Sequence, residues 1–160
     1  MRTKTIAIYE FSELPEDIQA QVIENFKQDH TLCEWALEDG IRSLKAYCEH
    51  FGVTLREWSI GAYQHSYAIT DAENSHFRGL KLKNCDEEYM PTGYCIDWEF
   101  FSRFYGEFKS TGNAKEAFEY GLAMGIEAIV RDAEECYSDE SIIAMIEAND
   151  YEFLECGGLA

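Results

Sequence analysis

Apolar residues recur at helical spacing in several long segments, and these segments constrain the fold more than any other feature of the chain. The clearest stripe runs at steps of 4, 3, 4 and 3 residues through Leu37, Ile41, Leu44, Cys48 and Phe51. Thr31 and Glu34 form a capping-box pattern at its start, and Gly52 supplies a residue suited to its end. The pattern predicts a helix with one buried face.

Four further helices are predicted from their first residues. Ser12 precedes an acidic first turn and an apolar stripe, and Asp97 can cap an aromatic segment. Asn113 opens a long helix that extends to about residue 137, and Ser138 caps a last one. The chain is therefore expected to contain four or five helices.

Period-two alternation of apolar and polar residues marks the predicted strands. In the first of them, Ile6, Ile8 and Glu10 alternate with Ala7, Tyr9 and Phe11, which suits a strand with at least one well-covered face. The segments with this character are 4–11, 53–60, 63–70, 76–83 and 151–156. The prediction is an α+β fold: one domain spanning 1–160, with a small antiparallel sheet of four or five strands and the helices packed to one side or end.

Length and composition fit a chain that folds by itself in the cytoplasm. Its 160 residues are 46% hydrophobic and 14% aromatic, and no apolar run approaches the ~20 residues that span a bilayer. The N-terminal sequence lacks the pattern of a secretory signal, so the six cysteines are expected to be reduced thiols. No cysteine pair has CxxC spacing, and we expect no metal or cofactor.

Catalytic motifs are scarce. The chain has no phosphate-binding glycine-rich loop, nucleophile elbow or HExxH motif. His65 and His76 fall in predicted strands and could meet across a hairpin. Asp97, Glu107 and Lys109 have a spacing similar to the D…ExK arrangement of metal-dependent nucleases, but the triplet falls in a predicted helix, where residues two apart diverge. A non-enzymatic protein is therefore the stronger prediction.

Charge is the strongest functional signal. The chain has 13 basic and 31 acidic residues, a net charge of −18, of which residues 84–160 carry −14. On a wheel of the helix after Asn113, four glutamates lie within about 80° of arc opposite the apolar face: Glu116, Glu119, Glu127 and Glu134. Glu135, Asp139 and Glu140 extend this negative field. Such a surface repels nucleic acid and anionic membranes and attracts basic proteins.

Two segments carry a resemblance to a known group of proteins: IYEFSELPEDIQAQVIENF near the start and SDESIIAMIEANDYEFLECGG near the end. They resemble small acidic proteins of unknown function from tailed phages and prophages, over about a quarter of the chain. The resemblance implies a bacterial cytoplasm under phage influence, where many small acidic proteins act by binding host machinery. It supplies no catalytic residues.

Charge and setting together predict an inhibitor that binds the basic, nucleic-acid-binding surface of a host defence complex, in the manner of anti-CRISPR or anti-restriction proteins. Carboxylates would stand in for phosphates, and arginine would pair with them. The alternative is an antitoxin-like or regulatory module that docks through the aromatic segment 94–108, using Trp98, Phe101 and Tyr105. Solvation of the helix face by its carboxylates remains the simplest structural interpretation of the charge.

Overall fold

The computed structural model describes residues 5–160, and over this range the chain is α+β. The α-helices of these residues are α1 (Glu16–Lys27), α2 (Glu34–His50), α3 (Cys95–Thr111), α4 (Ala114–Glu135) and α5 (Asp139–Ala148). The strands are β1 (Tyr9–Glu10), β2 (Leu55–Ser59), β3 (Tyr67–Thr70) and β4 (Glu152–Phe153). The mixed class is confirmed. The single larger sheet is wrong, because the strands form two antiparallel pairs, β1 with β4 and β2 with β3.

Segment 76–83 accounts for one missing strand. It carries parts of two short 3-10 helices, Asn74–Phe77 and Leu82–Asn84, separated by Gly79 at a φ of 79°. Glu73 and His76 cap the first of these reciprocally. The apolar side chains of this segment still pack against a core: Phe77, Leu80 and Leu82. Their alternation in the sequence therefore comes from turns that direct apolar side chains to the same side, not from a strand.

The chain divides into two compact units. The terminal unit comprises the described part of Met1–Cys33 together with Glu135–Ala160, and the central unit is Glu34–Glu134. That the whole chain forms one domain remains a prediction. Among the described residues, no helix has both the length and the apolar character needed to cross a bilayer.

The terminal unit holds β1 and β4 beside α1 and α5. Tyr9 pairs with Phe153 and Glu10 with Glu152 in the antiparallel register. The core of the unit consists of Phe11, Leu14, Val22, Ile23, Ile142, Ile146 and Phe153. Ser138 caps α5 as predicted, because its hydroxyl accepts a hydrogen bond from the Ser141 amide at 3.2 Å. By contrast, Thr31 bonds to the Asp29 carboxylate rather than capping α2.

An aromatic core dominates the central unit. Tyr47 of α2 stacks on Phe118 of α4 with ring centroids 5.0 Å apart and lies 4.9 Å from Phe100 of α3. Its buried hydroxyl donates to the Phe118 carbonyl at 3.1 Å, so the polar atom is satisfied. Gly125 lets α4 approach α3 closely, since a Cβ there would lie 2.5 Å from Phe100 Cγ. These contacts fix which face of α4 points away from the core.

Candidate functional site

The acidic row predicted on the long helix lies on α4. Asn113 begins the helix, with its side-chain oxygen accepting a hydrogen bond from the Glu116 amide at 3.3 Å. The opposite face is buried in the core of the central unit through Ala117, Phe118, Leu122, Ile126 and Ile129. At ~1.5 Å per residue, Glu116 and Glu134 lie roughly 27 Å apart along the axis. The fold therefore places the row opposite the buried face of α4, as the wheel predicts.

The four carboxylates of the row differ in their surroundings. Glu116 and Glu127 are exposed. Glu119 is also exposed but pairs with Lys115 at 3.3 Å, one turn earlier on the helix. Glu134 is half-buried and accepts a hydrogen bond from the Tyr63 backbone amide at 3.1 Å. Two members are thus exposed to solvent, one is paired with a lysine, and one supports a loop.

Exposed residues of other kinds interrupt the row. Tyr120 and Ala123 lie on the same side of α4, between Glu119 and Glu127. The Tyr120 side chain is 40% exposed. The carboxylates are therefore spaced unevenly along the helix axis. For a rise of ~1.5 Å per residue, the steps from Glu116 to Glu119, Glu127 and Glu134 are roughly 4.5, 12 and 10.5 Å. A regular phosphate-like spacing is not reproduced by this helix alone.

The loop at Tyr63 is a feature that sequence reasoning missed. Tyr63 has a φ of 55°, in the left-handed region that few non-glycine residues adopt, and is 74% exposed. The hydrogen bond from its amide to Glu134 ties this loop to α4. The two residues are 71 positions apart, so no local sequence signal could have joined them.

Nearby cations are largely committed to carboxylates within the central unit. Arg103 and Arg131 both approach Glu99, each at 3.4 Å, and Lys115 is paired with Glu119. The Tyr94 hydroxyl donates to the Asp132 carboxylate, and burial together with this hydrogen bond raises the pKa of Tyr94 well above its usual value. Glu99 and Asp132 therefore act within the fold, while Glu116, Glu119 and Glu127 of the row remain exposed on α4.

The remaining predicted acidic residues lie in the terminal unit. Asp139 bonds to the Lys27 ammonium at 2.7 Å, and Glu24 approaches the same ammonium at 2.9 Å. The hydrogen bond to Asp139 and, to a lesser extent, the one to Glu24 raise the pKa of Lys27. Glu135 and Glu140 are exposed. Asp139 is thus an ion-pair partner that links α1 to α5, while the other two remain surface charges.

The structure separates the residues of the aromatic alternative. Trp98 is 47% exposed, and Tyr105 is partly buried. Phe101 lies in the core, 3% exposed, with its ring 5.2 Å from that of Tyr47. The helix is apolar nearly all round, and packing against α2 decides which side is covered. Phe101 is therefore unavailable for docking, contrary to its place in the predicted set.

Asp97 has a structural environment that differs from the predicted capping position. Helix α3 begins at Cys95, so Asp97 lies in its first turn and points back toward the preceding loop. Its fully buried carboxylate accepts hydrogen bonds from the Thr92 amide at 2.8 Å, the Gly93 amide at 3.0 Å and the Thr92 hydroxyl at 2.9 Å. This arrangement uses the carboxylate to fix the loop before α3.

The predicted histidine pair is wrong, because His76 lies in a 3-10 helix rather than in a strand opposite His65. His76 Nε2 is 3.9 Å from Asp71, whereas His65 stacks on Tyr67. Within residues 5–160, no group of three or more histidine, cysteine or carboxylate side chains has a geometry able to hold a metal ion. None of the six cysteines, all within that range, forms a disulfide.

Comparisons with protein-family models, with curated proteins and with solved structures found no match to this chain.

Proposed function

We propose that this chain is a non-enzymatic, phage-type inhibitor that binds a basic, nucleic-acid-handling protein of the bacterial host cytoplasm. The observation that carries the proposal is the one-sided acidic row of α4, with Glu116 and Glu127 exposed opposite a buried apolar face. A helix so placed can present carboxylates without disturbing the core. Exposed carboxylates pair with arginine or lysine side chains that otherwise contact phosphates.

Competition with nucleic acid is the expected mechanism. A groove lined with arginine and lysine attracts carboxylates and phosphates by the same electrostatic field, so occupancy by α4 would exclude DNA or RNA. The uneven spacing of the row favours a partner whose cations lie on flexible side chains. Lysine and arginine have such side chains, and their reach can absorb differences of a few ångströms.

The test compares two triple variants with equal charge. In the first, Glu116, Glu119 and Glu127 become lysine; Glu134 is kept because it holds the Tyr63 amide. In the matched control, Glu34, Glu38 and Glu49 of α2, which are also exposed, become lysine. Each immobilised protein is incubated with a bacterial lysate, and duplex DNA is added at increasing concentration as a competitor. The nucleic-acid-binding proteins that the DNA displaces from the immobilised protein are then identified.

The expected result is that the parent and the α2 variant retain such a protein, whereas the α4 variant loses it. The loss should exceed the ~0–1 kcal/mol of a single exposed ion pair, because three contacts reverse together. If the α4 variant retains the same DNA-displaced protein as the parent, the row is only a solvated helix face and the proposal is refuted.

A second candidate is apolar docking through Trp98, which the 47% exposure of its side chain on α3 supports. Binding of this kind should persist at high salt, since screening weakens charge pairing and leaves apolar burial nearly unchanged. Replacing Trp98 by alanine should then abolish capture at high salt. With Phe101 in the core, Tyr105 is the other predicted residue with exposed surface for this mode.

A further inference from the structure

The outer edge of β1 offers backbone groups for pairing. On β4, the Leu154 amide donates to the Gly158 carbonyl at 2.7 Å, and the Ala160 amide donates to the Glu152 carbonyl at 2.9 Å. The groups of Phe153 therefore face the other way, toward Tyr9 of β1. By the same alternation, the amide and carbonyl of Ile8, the residue before β1, face away from β4, whereas the Glu10 carbonyl begins the 3-10 helix Phe11–Glu13. In the described part of the chain, no strand lies on that side of β1.

The Glu10 amide also faces this outer edge, but it already has a partner. It donates to the Glu13 carboxylate at 2.9 Å. A strand added along the edge would therefore pair first with Ile8, where both the donor and the acceptor are presented. Exposed edges of this kind are the usual template for addition of an extended segment.

An uncovered apolar face accompanies the edge. Tyr9 and Phe11 point toward the core of the terminal unit, where Phe11 is only 7% exposed. Ile6 and Ile8 alternate with them and are 65% and 50% exposed. Two neighbouring branched apolar side chains in the segment that leads into β1 give a surface that another strand could cover.

Carboxylates surround the end of the same face. Glu10 lies directly opposite Glu152 across the β1–β4 pair, a placement of like charges that destabilises a sheet. Glu147 and Asp150 join them around a cleft of about 330 Å³ whose remaining lining includes Phe11, Ile146 and Tyr151. No lysine, arginine or histidine of the described residues lines this cleft. A cationic side chain entering it would relieve the repulsion between Glu10 and Glu152.

We propose that the β1 edge docks an extended segment of a partner protein, with a lysine or arginine beside Glu10 and apolar residues over Ile8 and Ile6. Residues on one face of a strand recur every second position, so the segment carries its basic residue and its two apolar residues at alternate positions. Backbone pairing at Ile8 gives affinity, and the cleft selects for the cation. This site is separate from the acidic row of α4 and does not depend on it.

Charge argues for a basic partner rather than a second copy of the chain. The sequence segments of the terminal unit, 1–33 and 135–160, contain 13 acidic and 3 basic residues. Two such surfaces repel each other, whereas a basic segment is attracted. The cross-strand carboxylates point to the same conclusion at short range.

The test measures fluorescence anisotropy of labelled peptides added to the full chain. The patterned peptides read Lys-Thr-Val-Thr-Val-Thr and its reverse, which cover both strand directions. A composition-matched peptide, Lys-Thr-Thr-Thr-Val-Val, has the same charge without the alternation. We expect at least tenfold tighter binding of one patterned peptide than of the matched one, and a similar loss when the valine amides of the patterned peptide are N-methylated. Equal binding of these peptides overturns the proposal.

Protein variants locate the site. Ile8→Pro removes the outward amide while leaving the Tyr9–Phe153 pairing in place, and should weaken binding at least tenfold. Glu10→Gln with Glu152→Gln should reduce the preference for a lysine peptide over one with glutamate at that position, and the rest of the terminal unit's negative charge should leave a smaller preference. A second variant, Ile8→Asn, removes an apolar side chain from the proposed surface. Ile69→Asn on β3 is its control, because Ile69 is 48% exposed and Ile8 is 50% exposed. Only the Ile8 variant should weaken binding.

Two further measurements distinguish loss of docking from misfolding and a partner segment from a second copy of the chain. If circular dichroism shows that the Ile8→Pro protein does not fold, binding of the N-methylated peptide to the unaltered protein tests backbone pairing instead. Concentration-dependent dimerisation, seen by light scattering and abolished by Ile8→Asn, would assign the edge to a second copy and overturn the proposal. The triple variants of α4 and α2, which have the same net charge, should bind the patterned peptide equally well, so failure of either proposal leaves the other intact.

Discussion

Replacing Gly125 by alanine tests the close approach of α3 and α4. The added Cβ would lie 2.5 Å from Phe100 Cγ, where ordinary van der Waals contact begins near 3.4 Å. Phe100 is fully buried, and its ring contacts that of Tyr47 at a centroid distance of 4.9 Å. The Phe100 ring therefore has to move within a filled aromatic cluster, and we expect the substitution to destabilise the central unit.

The magnitude follows from two opposing effects. Overpacking a filled core costs about 1–3 kcal/mol, and a fully buried ring places this site at the upper end, near 3 kcal/mol. Alanine is favoured over glycine in a helix interior by about 1 kcal/mol. The net loss is therefore about 2 kcal/mol. For a chain of this length, a loss of that size lowers Tm by about 4–8 °C.

Gly106→Ala on α3 is the matched control, because a Cβ there would meet no atom within 4 Å. It should raise Tm by about 2–4 °C, through helix propensity alone. Thermal unfolding is followed by tryptophan fluorescence, since Trp35, Trp58 and Trp98, the only tryptophans in the sequence, all belong to the central unit. A Gly125→Ala protein that melts at or above the parent temperature would refute the packing argument.

Three further predictions concern single side chains. Asp97→Ala should cost about 2 kcal/mol, because the amides of Thr92 and Gly93 lose the buried carboxylate that accepts their hydrogen bonds; urea denaturation showing a loss of less than ~1 kcal/mol would contradict this. Burial raises the pKa of the Cys48 thiol to about 12. A thiol reagent at pH 8 should therefore modify exposed Cys156 in the native protein, and Cys48 only after unfolding. Fast labelling of Cys48 in the native protein would contradict this. Burial lowers the pKa of His50 below its usual 6.5, so the unfolded state binds more protons than the folded state. The free energy of unfolding should therefore decrease as the pH drops from 7 through 6.5. His50→Gln should make this decrease smaller, and an unchanged pH profile of the variant would count against the prediction.

Local signals in the sequence predicted the helices well. The stripe from Leu37 to Phe51 and the Ser138 cap depend on residues within one or two turns of each other, and both occur in the structure. The beginning of α3 was misplaced because Asp97 has a capping residue's chemistry but bonds backward to Thr92 and Gly93. A carboxylate in the first turn can serve the loop as readily as the helix.

Strands were harder to predict because pairing joins distant residues. Tyr9 pairs with Phe153, at the opposite end of the chain, and only two residues of each strand form the ladder. Of the predicted strand 4–11, residue 4 lies outside the described residues, only Tyr9–Glu10 is a strand, and Phe11 begins a 3-10 helix. The alternation separates exposed Ile6 and Ile8 from Tyr9 and Phe11, but Ala7 is exposed as well. It could not show which face is covered, and the structure leaves the isoleucines exposed.

The candidate site shows the same division between local and distant contacts. Lys115 and Glu119 are four residues apart on one helix, so their ion pair is readable from the sequence. The contacts of Glu134 with Tyr63 and of Asp139 with Lys27 cross long stretches of chain and are set by the fold. Sequence reasoning therefore placed the carboxylates on the correct face but overestimated how many of them are available.

Folding also redistributes the charge in a way that affects how the α4 proposal must be tested. The first 83 residues carry only −4, yet Glu10, Glu13, Glu16 and Asp17 join the acidic C-terminal residues in the terminal unit. Long-range attraction of a basic partner therefore comes from the whole molecule and governs mainly the association rate. Reversing three glutamates changes the net charge from −18 to −12 in both triple variants, so both should associate more slowly. Direct contact with α4 would appear as faster dissociation of the α4 variant alone, which makes the dissociation rate the decisive measurement.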